Sequence, residues 1–302
     1  MSQNAPIESG NSLFLFGRGY IARRLTAERN GPGQFGDGDG YRVIGATYRD
    51  GGTPRANGDM PIGSGEAILS ALSEATHILI STPPVQGRDP VLSAVDHRKL
   101  AQLPKLRWIG YLSSTGVYGD YQGDWVDETS PLRATRARSA DRMNAEAEWL
   151  KCSAAGLPVS VFRLSGIYGP GRSAFDALRK GRARRIDKPG QVFSRCHVDD
   201  ICAVLRRSMA GSGSGGIYNV ADNQPAPQHE VVAHAARMIG VAAPPLIPID
   251  EADLSPAARE FYASCRRVRN DRIKKDLGVA LACPTFADGL QAIADEEGLL
   301  EA

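Results

Sequence analysis

Short apolar runs alternate with longer mixed stretches along this chain, and that alternation predicts the element order. Ser12-Leu13-Phe14-Leu15-Phe16 is a compact apolar run of strand length, the pattern of a parallel strand buried on both faces. A glycine turn, Gly17-Arg18-Gly19-Tyr20-Ile21-Ala22, follows at once, and Ile21–Glu28 carries helix formers with apolar residues at Ile21 and Leu25. Asn30–Gly40 is almost all Gly, Asn, Asp, Pro and Gln, so it reads as a surface loop. Tyr41–Thr47 is the second strand, while Gly58–Pro61 gives no clear reading. Ala67–Ser73 is expected to be a short helix, His77–Ser81 a buried strand ending at Pro83-Pro84, and Leu106–Leu112 a strand ending in Ser113-Ser114-Thr115. Beyond these lie a helix over Arg138–Leu150, a strand over Pro158–Leu164 and an aspartate-capped helix over Asp199–Met209. The Gly/Ser loop Gly211–Gly216 precedes the strand Ile217–Val220.

Strands alternating with helices imply an α/β fold built on a doubly wound parallel sheet. Such sheets bind ligands outside the carboxyl ends of their strands. Gly17–Ala22, Ser81–Pro84, Ser113–Thr115 and Ser165–Gly169 all follow predicted strands and are expected to meet along one crevice.

Composition narrows the class. The chain has 302 residues, 42% of them hydrophobic, enough for a large core. Its formal net charge is +2, with basic and acidic residues interspersed, which gives no support to a nucleic-acid or anionic-membrane surface. One basic run, Arg179–Arg185, can bind an anion, although a solvated helix end is the simpler reading. The polar start Met1–Gly10 has no signal-peptide core, and no apolar run approaches the roughly 18 residues of a membrane span. Five cysteines without a CxxC pair fit reduced thiols in a cytoplasmic protein. The histidines show no metal-ligand spacing with Asp, Glu or Cys.

The glycine turn carries chemistry because of where it lies. Its first glycine permits a tight turn, the second lets backbone approach a pyrophosphate, and the small Ala22 lets the helix pack on the strand. Backbone of Gly17, Arg18, Gly19, Tyr20 and Ile21 then cradles phosphates at the helix start. Ser81, Thr82, Pro83, Ser113 and Ser165, at the other strand ends, are further candidates for cofactor contact. The second strand ends in Thr47-Tyr48-Arg49, where NAD-binding proteins place a carboxylate for the ribose. Arg49, with Arg18, can instead pair with a 2′-phosphate, so NADP(H) is favoured over NAD(H), although Asp50 can still reach the ribose.

Ser113-Ser114-Thr115-Gly116-Val117-Tyr118-Gly119 resembles the Ser-Ser-x-x-Val-Tyr-Gly block of extended short-chain dehydrogenases/reductases, the NAD-dependent epimerase/dehydratase family. Arg163 through Gly171, His197-Val198-Asp199-Asp200, Tyr218-Asn219-Val220-Ala221 and Leu277-Gly278 through Leu290 resemble further blocks in the family's order. The resemblance implies an NAD(P)-binding Rossmann domain over residues 11–170. A smaller substrate lobe covers mainly 171–302, with helix 199–209 and strand 217–220 returning to the first domain. It implies hydride transfer with a nicotinamide cofactor, a small-molecule substrate such as a carbonyl or sugar derivative, and the possibility of a homodimer. It also implies a catalytic tyrosine, a lysine four residues later, and an upstream Ser/Thr, the position held here by Ser114.

The tyrosine-lysine register departs from the family. Counting back from Ala145-Glu146, it falls on Arg138 and Arg142. Arg142 can still hold ribose hydroxyls or positive charge, but an arginine at the tyrosine position cannot shuttle a proton. Tyr118 and Tyr168, near strand ends, are the substitutes, each read more readily as a packing residue. Gly166 stands where many sugar-nucleotide enzymes have Asn, and Phe193 where the family often has Arg, with Arg195 two residues on. This pattern resembles the atypical branch of the superfamily. It leaves two readings, an oxidoreductase or epimerase-like enzyme with an altered proton donor, and a catalytically weak dinucleotide-sensing protein.

Overall fold

A computed structural model describes residues 10–27, 41–48, 52, 59–211 and 215–300. The expected loop at Asn30–Gly40, together with Arg49 and Asp50, lies outside the described residues. The main sheet is seven-stranded and parallel, flanked by helices. In chain order its strands are β1 (Asn11–Phe16), β2 (Tyr41–Tyr48), β3 (Asp59–Pro61), β4 (His77–Ile80), β5 (Trp108–Ser114), β6 (Val159–Leu164) and β7 (Ile217–Val220). Their spatial order is β7-β6-β5-β4-β1-β2-β3. The reversal between β1 and β4 is the switch point of a doubly wound sheet.

Burial explains why β1 is central. Leu13, Phe14, Leu15 and Phe16 are all fully buried, as an apolar run paired on both sides must be. Phe16 pairs with Thr47 of β2 on one side and Ile80 of β4 on the other, so these three strand ends lie level. The segment with no clear reading at Gly58–Pro61 holds β3. Three residues are too few to show a period, and Pro61 is tolerated because β3 is an edge strand.

Helix Ala137–Ala154 extends beyond the expected bounds at both ends and buries Ala145, Trp149 and Cys152 at helical spacing. Helix Val198–Ala210 matches its expectation in place. Its aspartates are used differently from a simple cap, because Asp200 accepts the backbone N–H groups of Ala282 and Cys283 at 2.7 and 3.0 Å. None of the five cysteines is in a disulfide, and four of them are buried. Among the described residues no helix is long and apolar enough to cross a membrane.

The chain divides into two interleaved compact units, the first comprising Met1–Leu112, Asn144–Val161 and Ser208–Gly216 and the second Ser113–Met143, Phe162–Arg207 and Ile217–Ala302. The second unit has short parallel pairs of its own. Gly166–Tyr168 pairs with Arg195–His197, Arg185–Asp187 with Leu246–Pro248, and Trp125–Val126 with Arg267–Val268. Phe175, Val231, Phe286, Leu290 and Ile293 form one of its cores.

Candidate functional site

In the first unit the strand β1 delivers the chain into the glycine turn. Gly17 has φ +91°, a left-handed conformation that favours glycine, and a Cβ there would stand 3.0 Å from Ser81 Oγ and 3.3 Å from Thr82 Cγ2. Ser81, just past β4, holds the turn by donating its hydroxyl to the Phe16 and Gly17 carbonyls at 3.1 and 2.9 Å. Gly19 differs in kind. Its backbone is extended, and a Cβ there would meet only Ser81 Oγ at 3.9 Å. Among the described residues, packing therefore does not demand glycine at that position, whereas close approach of a ligand to the backbone would.

Helix Tyr20–Thr26 starts at Gly19 without a side-chain cap and packs inward through Ile21, Ala22 and Leu25. Uncapped N–H groups at a helix start suit phosphate oxygens. Two hydroxyls at strand ends beside the turn, Thr47 Oγ1 and Thr82 Oγ1, are buried without a hydrogen-bond partner. A cradle with space above Gly19 and orphaned hydroxyls beside it fits a nucleotide cofactor. Arg18 is turned onto Asp59, donating Nε–H to a carboxylate oxygen at 2.9 Å. The 41-residue separation left no sequence signal for that pair. Pro83 is exposed, and Arg49 lies outside the described residues.

In the second unit β5 ends at Ser113 and Ser114, and a single tight turn over Thr115–Tyr118 follows. Ser113 is buried. Ser114 Oγ accepts the Gly116 N–H at 3.0 Å, which leaves its own proton available to donate. Tyr118, offered as a replacement acid/base, is instead locked into packing. It is fully buried, donates to Asn219 Oδ1 at 2.7 Å and accepts from Arg163 Nη1 at 2.9 Å. Burial pushes its hydroxyl up to about 12, with the nearby Arg163 guanidinium opposing the rise. Such a phenol holds its proton at neutral pH and points at structural partners.

Tyr168 is also tied down. Its hydroxyl donates to the Thr285 carbonyl at 3.4 Å and occupies the space a Cβ on Gly289 would need. Burial raises its pKa well above the usual tyrosine value. Ser165 is buried and donates to the Val220 carbonyl at 2.8 Å. At Gly166 a Cβ would meet the Ser194 carbonyl at 3.2 Å, so the asparagine of many sugar-nucleotide enzymes would crowd that backbone. Phe193 stacks on Phe261 with ring centroids 4.2 Å apart.

A cavity of about 860 Å³ lies within the second unit. Ser114, Arg138, Arg142, Ser165, Tyr168 and Arg195 all line it. Arg138 and Arg142, four residues apart on helix Ala137–Ala154, share one helical face. Part of the basic run also lines this cavity, through Lys180 and Arg182, whereas Arg179 pairs with Asp176 and Glu297. Sequence reasoning missed Arg136, Arg172 and Arg266 as lining residues. They come from loops and termini with no motif of their own.

No family model matches the chain. It is 31% identical over 179 residues to a 3-diazoavenalumate denitrifying reductase of Streptomyces sp, a match that spans 55% of each chain. A solved structure of a conserved protein of unknown function from Silicibacter pomeroyi is 43% identical, with 95% of this chain and 99% of that one covered and a TM-score of 0.79. The human epimerase family protein SDR39U1, solved with NADPH, is 19% identical with 94% of this chain and 99% of that chain covered and a TM-score of 0.68, a likeness of fold. The chain thus belongs to one family with the Silicibacter pomeroyi protein, and its fold is that of the extended and atypical short-chain dehydrogenases/reductases.

Proposed function

We propose that this protein is a nicotinamide-dinucleotide-dependent oxidoreductase of the atypical short-chain dehydrogenase type, with NADP(H) favoured over NAD(H). The observation that carries the reading is the glycine turn, where the chain's own packing requires Gly17 and leaves space above Gly19. Gly17, Gly19, Tyr20 and Ile21 would hold the pyrophosphate by backbone, with Thr47 and Thr82 offering unpaired hydroxyls nearby. When bound, the cofactor supplies or accepts a hydride. The neighbour SDR39U1, an epimerase family protein by its name and solved with NADPH, supports a nicotinamide dinucleotide as cofactor, and the Streptomyces reductase, by its name, supports a reductive activity.

The chain's own residues then orient the substrate rather than run the usual tyrosine chemistry. Ser114 presents a hydroxyl to the cavity of the second unit, and Arg138 and Arg142 present fixed positive charge. Neither Tyr118 nor Tyr168 stands ready to move a proton. This arrangement suits an acceptor that takes a hydride and draws its proton from solvent, or takes none. Free cysteines fit a reducing compartment such as the cytoplasm.

Isothermal titration with NADPH, NADP+, NADH and NAD+ tests the binding, and NADPH oxidation across a panel of carbonyl substrates tests turnover. Absence of binding by all four dinucleotides sinks the reading. Because both phenols are tied into packing, a second reading is a dinucleotide sensor whose partner affinity changes with occupancy. Tight NADPH binding without turnover on any acceptor, together with partner capture that differs with and without NADPH, would favour it.

A further inference from the structure

Two hydroxyls of the second unit meet at Gly116. A Cβ on that glycine would stand 3.0 Å from Ser139 Oγ and 3.2 Å from Ser114 Oγ. Its φ is not positive, so the backbone itself does not ask for glycine there. The close approach of the two side chains does. They come from different elements, Ser114 from the end of β5 and Ser139 from helix Ala137–Ala154. Both line the cavity of about 860 Å³.

Each hydroxyl has a proton to give. Ser114 Oγ already accepts the Gly116 N–H at 3.0 Å, so its own proton is directed elsewhere. Ser139 is half-buried, and its backbone N–H donates to the Arg136 carbonyl at 3.0 Å. Its hydroxyl makes no hydrogen bond among the described residues. Two oxygens that both lie about 3 Å from one point are close enough to share a single acceptor. Arg142, three residues beyond Ser139 on the same helical face, lines the same cavity and brings positive charge to it. The phenols supply no such donor, because Tyr118 gives its proton to Asn219 and Tyr168 to the Thr285 carbonyl.

We infer that Ser139 is a catalytic residue that, together with Ser114, donates to the reacting carbonyl oxygen of the substrate and holds the negative charge that develops there. The inference rests on the oxidoreductase reading and adds a residue to it. As a hydride bonds to the carbonyl carbon, the π pair of the C=O bond moves onto oxygen. Two O–H donors fixed in advance stabilise that alkoxide without reorganising. Water then protonates the oxygen and is left as hydroxide, so neither serine changes its own protonation state. Stabilisation of charge, rather than delivery of a proton, is the task left when no phenol is available.

Steady-state NADPH oxidation with a carbonyl panel that includes benzaldehyde and cyclohexanone tests it, in the full-length wild type, Ser139→Ala, Ser114→Ala, the double variant and Ser139→Thr. For the fastest substrate, Ser139→Ala is expected to lower kcat about a hundredfold, the cost of one such donor, with KM little changed. The double variant should lose far less than the product of the two single losses, because both donors serve one oxygen. Ser139→Thr keeps the hydroxyl and should recover most of the activity. Two further readouts need no turnover. NADPH affinity and the thermal midpoint of Ser139→Ala should match wild type, since the Ser139 hydroxyl has no hydrogen bond to lose among the described residues. With NADP+, which has no hydride to give, the infrared C=O stretch of the bound substrate should rise in Ser139→Ala as its oxygen loses a donor.

Wild-type kcat in Ser139→Ala, an unmoved C=O stretch, or a loss of activity matched by a loss of stability would overturn the proposal and leave the oxidoreductase reading standing. NADPH binding by the wild-type protein without turnover of any carbonyl would overturn both.

Discussion

Arg18, in the glycine turn, donates its Nε–H to Asp59 at the start of β3 at 2.9 Å, and the Asp59 side chain is 2% exposed. A buried carboxylate thus offsets a cation offered for the 2′-phosphate of NADP(H). Asp59→Asn removes that negative charge and releases Arg18 toward a phosphate. The expected outcome is a shift of the NADPH-to-NADH affinity ratio toward NADPH by roughly three- to tenfold, measured by calorimetry. An unchanged or falling ratio would show that Arg18 takes no part in reading the phosphate.

The two glycines of the turn should separate stability from binding. Gly17→Ala places a side chain in a left-handed conformation against Ser81. It should cost about 1–2 kcal/mol in urea denaturation. Gly19→Val enters open space and should leave the unfolding midpoint nearly unchanged while weakening dinucleotide binding strongly. Loss of stability at Gly19 equal to that at Gly17 would remove the ligand argument.

Tyr118→Phe deletes a hydroxyl that satisfies both Asn219 and Arg163. It should destabilise the protein by about 1–3 kcal/mol, because two buried polar groups lose a partner. Turnover per folded molecule should hardly change. A large fall in kcat with unaltered stability would instead make Tyr118 the proton donor.

Two buried groups should give opposite slopes of stability against pH. Burial pushes the Asp222 carboxyl up to about 7, with Arg195 and the Gln224 N–H opposing the rise and Asp200 adding to it. Between the ordinary aspartate range and pH 7 the folded state holds a proton that the unfolded chain has released. This contribution is therefore full at low pH and lost as pH rises to about 7. Burial pulls His77 down to about 4, the Met209 carbonyl opposing the fall and Arg107 adding to it. Its contribution is full above the ordinary histidine value and lost as pH falls toward about 4. Thermal midpoints should rise more steeply with pH in Asp222→Asn than in wild type, and less steeply in His77→Gln. The reverse order of slopes would contradict both assignments.

Gly289 should be intolerant for a different reason. The Tyr168 hydroxyl fills the space of its Cβ, so Gly289→Ala must displace a half-buried ring. A loss of about 1–3 kcal/mol is expected from such overpacking, read by urea denaturation. Gly289→Ala with Tyr168→Phe should recover part of it.

The sequence by itself determined the sheet and the turn, because both are written in local pattern. Leu13–Phe16 is apolar without interruption since it pairs on both sides, and Gly17 is glycine since the backbone turns left-handed there. Arg138 and Arg142 were legible in the same way, as the residues on which the family's tyrosine-lysine register falls. Their neighbourhood was not legible, because a cavity is made by residues far apart in the chain. Tyr118 and Tyr168 looked alike as strand-end phenols until packing against Asn219, Arg163 and Gly289 tied both down. Asp59 had no motif at all until β3 paired beside β2 and brought it to Arg18. Charge adds up in space, not along the chain. Only the tertiary structure could gather Arg136, Arg172, Lys180, Arg182 and Arg266 around one space in a protein that is nearly neutral overall.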